Sequence, residues 1–140
     1  LDDFKQFIIP RIKKLTGNFK AKYPNKKIIY YSKLTHLNYL KALEDDNIDV
    51  LGIDWRHSIE VALKELGNDY FIQGNIDPSY LHLPWEQLEK YASNYWNKLI
   101  DTPNINLDKW ICGLGHGVLR TTPQDNVKKL VSYIHENFNY

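Results

Sequence analysis

Apolar residues recur along the chain in two alternating rhythms. Phe4, Phe7 and Ile8 lie at helical spacing, and Ile12, Leu15 and Phe19 continue at that spacing after Pro10. Proline lacks an amide donor, so Pro10 is expected to open a second helix rather than to sit inside the first. Tyr23-Pro24-Asn25 ends the run, and the apolar stretch 28–31 follows as a short strand. Leu37, Leu40 and Leu43 predict a helix over 37–43, and 50–53 reads as the next strand. Ser58 is placed to cap a helix burying Ile59, Ala62, Leu63 and Leu66, with Gly67 as its left-handed end. A third strand is predicted at 70–72 and a fourth at 110–112. Between them 85–100 is a long helix, with Leu88, Ala92, Tyr95 and Leu99 on one face. The last helix has Thr122 as candidate N-cap, Pro123 in its first position and Asp125 as a capping-box acid. Val127, Leu130, Val131, Ile134 and Phe138 form its stripe.

The resulting order is α-β-α-β-α-β-α-β-α. Strands roughly twenty to forty residues apart, each followed by a helix, imply βαβ units and a parallel sheet. Right-handed crossovers put all the strand carboxyl ends on one side. The strands are almost wholly apolar, as strands covered on both faces are. Four such units are half of an eight-fold βα barrel, so the fold class expected is α/β, half of a (β/α)8 barrel, with 1–140 as one partial domain.

Composition narrows the partners. Lys+Arg is 18 and Asp+Glu 17, for a formal net charge of +1, without the basic excess of nucleic-acid or membrane-surface binders. Cys112 is the only cysteine, which excludes an intrachain disulfide and a thiolate-rich metal site and points to a reducing compartment. Residues 1–15 are amphipathic and charged, unlike a signal peptide. The chain starts at Leu1 and holds no methionine, which looks like a cut or processed end.

Four predicted strand ends share one rim: Ser32 and Lys33; Asp54 and Trp55; Asn75 and Asp77; and Gly115-His116-Gly117. In βα barrels this rim is where active sites form. His116, held between glycines, is suited to donate to a carboxylate or to move a proton. It is also suited merely to cap the turn backbone, and spacing leaves both readings open. Asn75 and Asp77 fit backbone-bonding turn roles. Asp54 is either an acid–base group or the ion-pair partner of Lys33. His36, His57, His82 and His135 are scattered and read as surface or packing residues. Cys112 and His116 alone make no metal site, since zinc needs three or four ligands. Gly113, Gly115 and Gly117 match neither a Walker loop nor a full dinucleotide fingerprint.

The runs 28–33, Leu51-Gly52-Ile53-Asp54-Trp55, Gly74-Asn75-Ile76-Asp77-Pro78, Leu114-Gly115-His116-Gly117 and Thr122-Pro123 with Asn126-Val127 together resemble the uroporphyrinogen decarboxylase family. The resemblance covers the chain from about Leu1 to Phe138. It implies a cytoplasmic, homodimeric (β/α)8 barrel that decarboxylates the four acetate side chains of uroporphyrinogen III to give coproporphyrinogen III, on the route to haem. It implies no metal and no organic cofactor, with the protonated pyrrole of the substrate as electron sink. It places His116 at the substrate. The family's key arginines, its pyrrole-binding aspartate and its pocket tyrosine and serine match nothing in this sequence. The chain is thus expected to be the carboxyl-terminal half of such an enzyme, with no catalytic residue of its own. It is also expected to be inactive alone, and either to pair with another half-barrel or to be poorly soluble. Gly113 departs from the asparagine many members carry there. Two alternatives stand beside this: a corrinoid-dependent methyltransferase of the same superfamily, whose zinc-binding cysteines this chain lacks, and a non-catalytic binding or assembly module.

Overall fold

The structure is a computed structural model that describes residues 1–138. Four parallel strands form one sheet in the order β1-β2-β3-β4, with β1 at Ile29–Tyr31, β2 at Val50–Gly52, β3 at Phe71–Ile76 and β4 at Trp110–Leu114. Five helices connect and flank them: α1 (Ile9–Lys22), α2 (Leu37–Lys41), α3 (Ile59–Leu66), α4 (Trp85–Ile100) and α5 (Gln124–Asn137). This is the predicted class, four βα units of a half-barrel.

The register decides which side chains meet the helices. Tyr30, Leu51, Ile72 and Trp110 stand side by side. Of these Leu51 and Ile72 are fully buried, against Leu40, Leu43, Ile59, Leu63, Leu66 and Leu99. Removing that much apolar surface from water is the main stabilising contribution. The row one residue on, Tyr31, Gly52, Gln73 and Ile111, lies on the opposite face, and there Tyr31 and Ile111 are exposed, as are Ile29 and Phe71. A second cluster, Leu81, Leu88, Ala92 and Leu130, holds α4 and α5 against the 3-10 turn Pro78–His82.

Several local expectations change. The first two helices are one continuous run in which a π-turn, Phe4–Ile8, passes directly into α1. Pro10 is tolerated because it sits in the first turn of α1. The buried positions of α1 are Ile9 and Thr16, while Leu15 and Phe19 are exposed. Thr16 is buried because its hydroxyl bonds Asp45 Oδ2 at 2.6 Å and returns to the Ile12 carbonyl at 3.0 Å. Gly67 is not left-handed: its φ is −68°, and a Cβ there would lie 2.4 Å from the Leu63 carbonyl oxygen. Close approach to the helix end, not a reversed dihedral, requires the glycine. Ser58 does cap α3, accepting from the Val61 amide. Thr122 does not cap α5: no side chain caps that helix, and the Thr122 hydroxyl faces His82 Nε2 at 3.3 Å. Its start is anchored instead by Asn126, whose Nδ2 donates to the Leu81 and Leu83 carbonyls, each at 2.8 Å.

Candidate functional site

Strands β3 and β4 run further than the apolar pattern predicts. The ladder continues through Gly74↔Cys112, Asn75↔Gly113 and Ile76↔Leu114. The two glycine-containing segments therefore begin inside the sheet. Gly74 needs no side chain for two reasons: its φ is +135°, and a Cβ would meet the Ile53 carbonyl oxygen at 2.6 Å. Gly115 amide donates to the Ile76 carbonyl at 2.8 Å, which carries the β4 end over β3. Its Cα packs so closely that a Cβ would sit 2.4 Å from the Trp55 amide nitrogen. Only glycine lets the end of β4 rest on the backbone that follows β2.

That contact brings His116 beside Trp55, with ring centroids 6.2 Å apart and nearly perpendicular. His116 is exposed. Its Nδ1 donates to the Gly117 carbonyl at 3.2 Å, and no partner for Nε2 is found among the described residues. The Nδ1 bond is the turn-capping role that the sequence left open. With Tyr31, Gly52, Ile53, Gln73, Leu114 and Gly117, His116 lines a cavity of about 200 Å³. Gly113 has room: a Cβ there would meet only the Gln73 side chain, at 3.8 Å or more.

Asp54 is buried, at 1 % exposure, and fully committed. Its partner is not Lys33, which is exposed, but Arg56 two residues on. Arg56 Nε donates to Oδ1 at 3.0 Å and Nη2 to Oδ2 at 2.6 Å. The Arg56 and Leu34 amides complete the shell at 3.1 and 2.9 Å. The Leu34 bond holds a residue whose φ is +65°, a strained value for a branched side chain. Burial pushes the Asp54 carboxyl up, but the Arg56 hydrogen bonds and the two amides outweigh it and hold the group below its usual range. A carboxylate kept ionised with four donors is a scaffold, not a proton shuttle.

Asn75 is likewise structural. Its Nδ2 donates to the Asp54 and His57 carbonyls at 3.0 and 2.6 Å, and its Oδ1 accepts from the Tyr95 hydroxyl at 3.0 Å. Asp77 accepts from the Ser79 amide at 2.9 Å and caps the following 3-10 turn. His57 Nε2 donates to the Thr35 carbonyl at 2.8 Å, His36 caps α2, and His135 lies by the groove between β4 and α5. Ser32 pairs with Thr35 through their hydroxyls at 2.6 Å. Cys112 lines that same groove, on the helix side of β4, and burial pushes its thiol up to about 12. Among the described residues no three His, Cys, Asp or Glu side chains gather as metal ligands would. No helix among them is long and apolar enough to cross a membrane.

Sequence reasoning missed Arg56 and Tyr31. Arg56 was findable as the cation nearest Asp54 in a tight turn. Tyr31 gave no local signal, because its hydroxyl bonds the Gly115 carbonyl, 84 positions away, at 2.9 Å.

Comparison with known proteins sets this geometry among relatives. The chain is 35% identical over 136 residues to the uroporphyrinogen decarboxylase of Staphylococcus haemolyticus, covering 97% of this chain and 37% of that protein. It is 35% identical to the uroporphyrinogen decarboxylase of Bacillus pumilus, covering 96% of this chain and 36% of that one. The chain therefore spans a little over a third of the length of these relatives. Among solved structures it superposes on a methyltransferase from Methanosarcina mazei with a TM-score of 0.73, over 99% of this chain and 38% of that one. At 20% identity that likeness speaks for the fold alone. The profile described as Uroporphyrinogen decarboxylase (URO-D) matches residues 1–137, and the chain belongs to that family.

Proposed function

We propose that this chain supplies one wall of a tetrapyrrole-carboxylate pocket in a decarboxylase acting on uroporphyrinogen. In this reading residues 1–140 form one partial domain, an arc of four βα units within a larger barrel that works as a cytoplasmic homodimer without metal or organic cofactor. The observation that carries it is His116. It stands on a strand-end turn of a chain in the uroporphyrinogen decarboxylase family, over a cavity of about 200 Å³, with one ring nitrogen braced and the other without a partner among the described residues. Such a nitrogen donates to a substrate carboxylate when protonated and accepts from an N–H when neutral. On the same rim Asp54 and Asn75 are committed internally, so in this reading the groups that handle protons on the substrate belong to other parts of the enzyme. The methyltransferase reading gains nothing from its structural neighbour, which shares only the fold.

Titration of the 140-residue chain with uroporphyrin, an oxidised and stable analogue of the substrate, tests this. Wild-type protein is expected to bind, and His116→Ala to bind about tenfold more weakly, the scale of a charge-assisted hydrogen bond. Equal affinity in both proteins would remove His116 from the pocket.

A further inference from the structure

Tyr31 ends β1, and His116 follows β4; β2 and β3 lie between them in the sheet. The Tyr31 hydroxyl nevertheless donates to the Gly115 carbonyl oxygen at 2.9 Å. That oxygen belongs to the peptide group joining Gly115 to His116. A peptide group is planar, so fixing its oxygen and the Gly115 Cα also fixes the His116 amide and Cα. The Gly115 amide is held separately by the Ile76 carbonyl, and its Cα by contact with the backbone of Asp54 and Trp55. The flanking glycines make this bracing necessary, since neither restricts its own dihedrals as a side chain would. Gly117 has open space around it, so restraint reaches the turn mainly from the Gly115 side.

We infer that Tyr31 is the positioning residue for His116, clamping the preceding peptide plane so that the imidazole presents its free nitrogen to the cavity both residues line. The inference rests on the reading of His116 as a substrate contact. The Tyr31 ring is seated over Gly52, where a Cβ would meet its Cδ2 at 3.0 Å, so the hydroxyl is aimed by packing and not only by its own bond. Burial and the nearby Asp54 carboxylate raise its pKa, which keeps the hydroxyl a donor through neutral pH.

Tyr31→Phe deletes the hydroxyl and keeps the ring over Gly52. In the 15N-labelled chain, its amide resonances for Gly115, His116 and Gly117 and the imidazole nitrogen signals of His116 are expected to move. The same change one residue earlier, Tyr30→Phe, is expected to leave them in place. Uroporphyrin affinity is expected to fall roughly threefold to tenfold in Tyr31→Phe, and that loss is expected to vanish in a His116→Ala background. Unmoved His116 signals in Tyr31→Phe, equal movement in Tyr30→Phe, or an affinity loss that persists without His116 would each overturn the inference. If His116→Ala binds as wild type does, the substrate-contact reading fails. The His116 signals of Tyr31→Phe then still decide whether the clamp exists.

Discussion

After β2, Asp54 is closed in by four donors, its aspartate-arginine turn is buried on one side, and Asn75 reaches over from β3 to bond the Asp54 and His57 carbonyls. After β4, a few residues away in space, His116 stands exposed with one ring bond to its own turn. The two turns touch, backbone against backbone, through Gly115 and Trp55. The contrast separates a polar group whose bonds are filled from one with capacity left. A buried polar group whose capacity is filled internally specifies structure, whereas one with a vacant nitrogen beside a cavity is available to a ligand.

Breaking the committed turn should cost most. Asn75→Ala would remove the side-chain donor to the Asp54 and His57 carbonyls and the acceptor of the Tyr95 hydroxyl, in a site where Asn75 is only 4 % exposed. A loss of about 3 kcal/mol is expected in urea denaturation. Asp54→Asn removes the charge that Arg56 and two amides enclose, with an expected loss of about 2 kcal/mol. This variant also sharpens the comparison through pH. The folded pKa of Asp54 lies below its unfolded value, so its contribution is complete above the unfolded value, near ~3.9, and is lost as pH falls through the folded one. The wild-type chain should therefore lose stability more steeply than Asp54→Asn when titrated into acid. The smallest effect belongs to the uncommitted turn. His116→Ala is expected to change stability by less than about 0.5 kcal/mol while weakening uroporphyrin binding, a separation that denaturation and titration of the same sample would expose.

What the sequence made legible follows the same division. The order and type of the elements, the Ser58 cap and the turn role of Asp77 all depend on neighbours within a few residues or on hydrophobic period. They were readable for that reason. Asn75, expected to bond its own turn, instead bonds residues 18 to 21 positions away. The partner of Asp54 was mistaken because strand adjacency suggested Lys33, while turn geometry brings Arg56 closer. The lengths of β3 and β4 were underestimated because Gly74, Asn75 and Gly113 carry little strand propensity, and their pairing comes from each other. Thr122 was misread because its hydroxyl finds His82, 40 positions away, before it finds the helix. The apolar face of α1 was displaced because Thr16, polar by type, is buried on the strength of one distant carboxylate.

The strands lie in the sheet in the order in which the chain is made. Each of β2, β3 and β4, on emerging during synthesis, meets a partner strand that already exists. Parallel pairing is ordinarily slow because the closing segment must first find a remote edge; here the edge that each of β2, β3 and β4 joins is supplied by the unit immediately before it. Growth of this sheet is vectorial, and each added unit both completes the previous ladder and offers a fresh edge to the next.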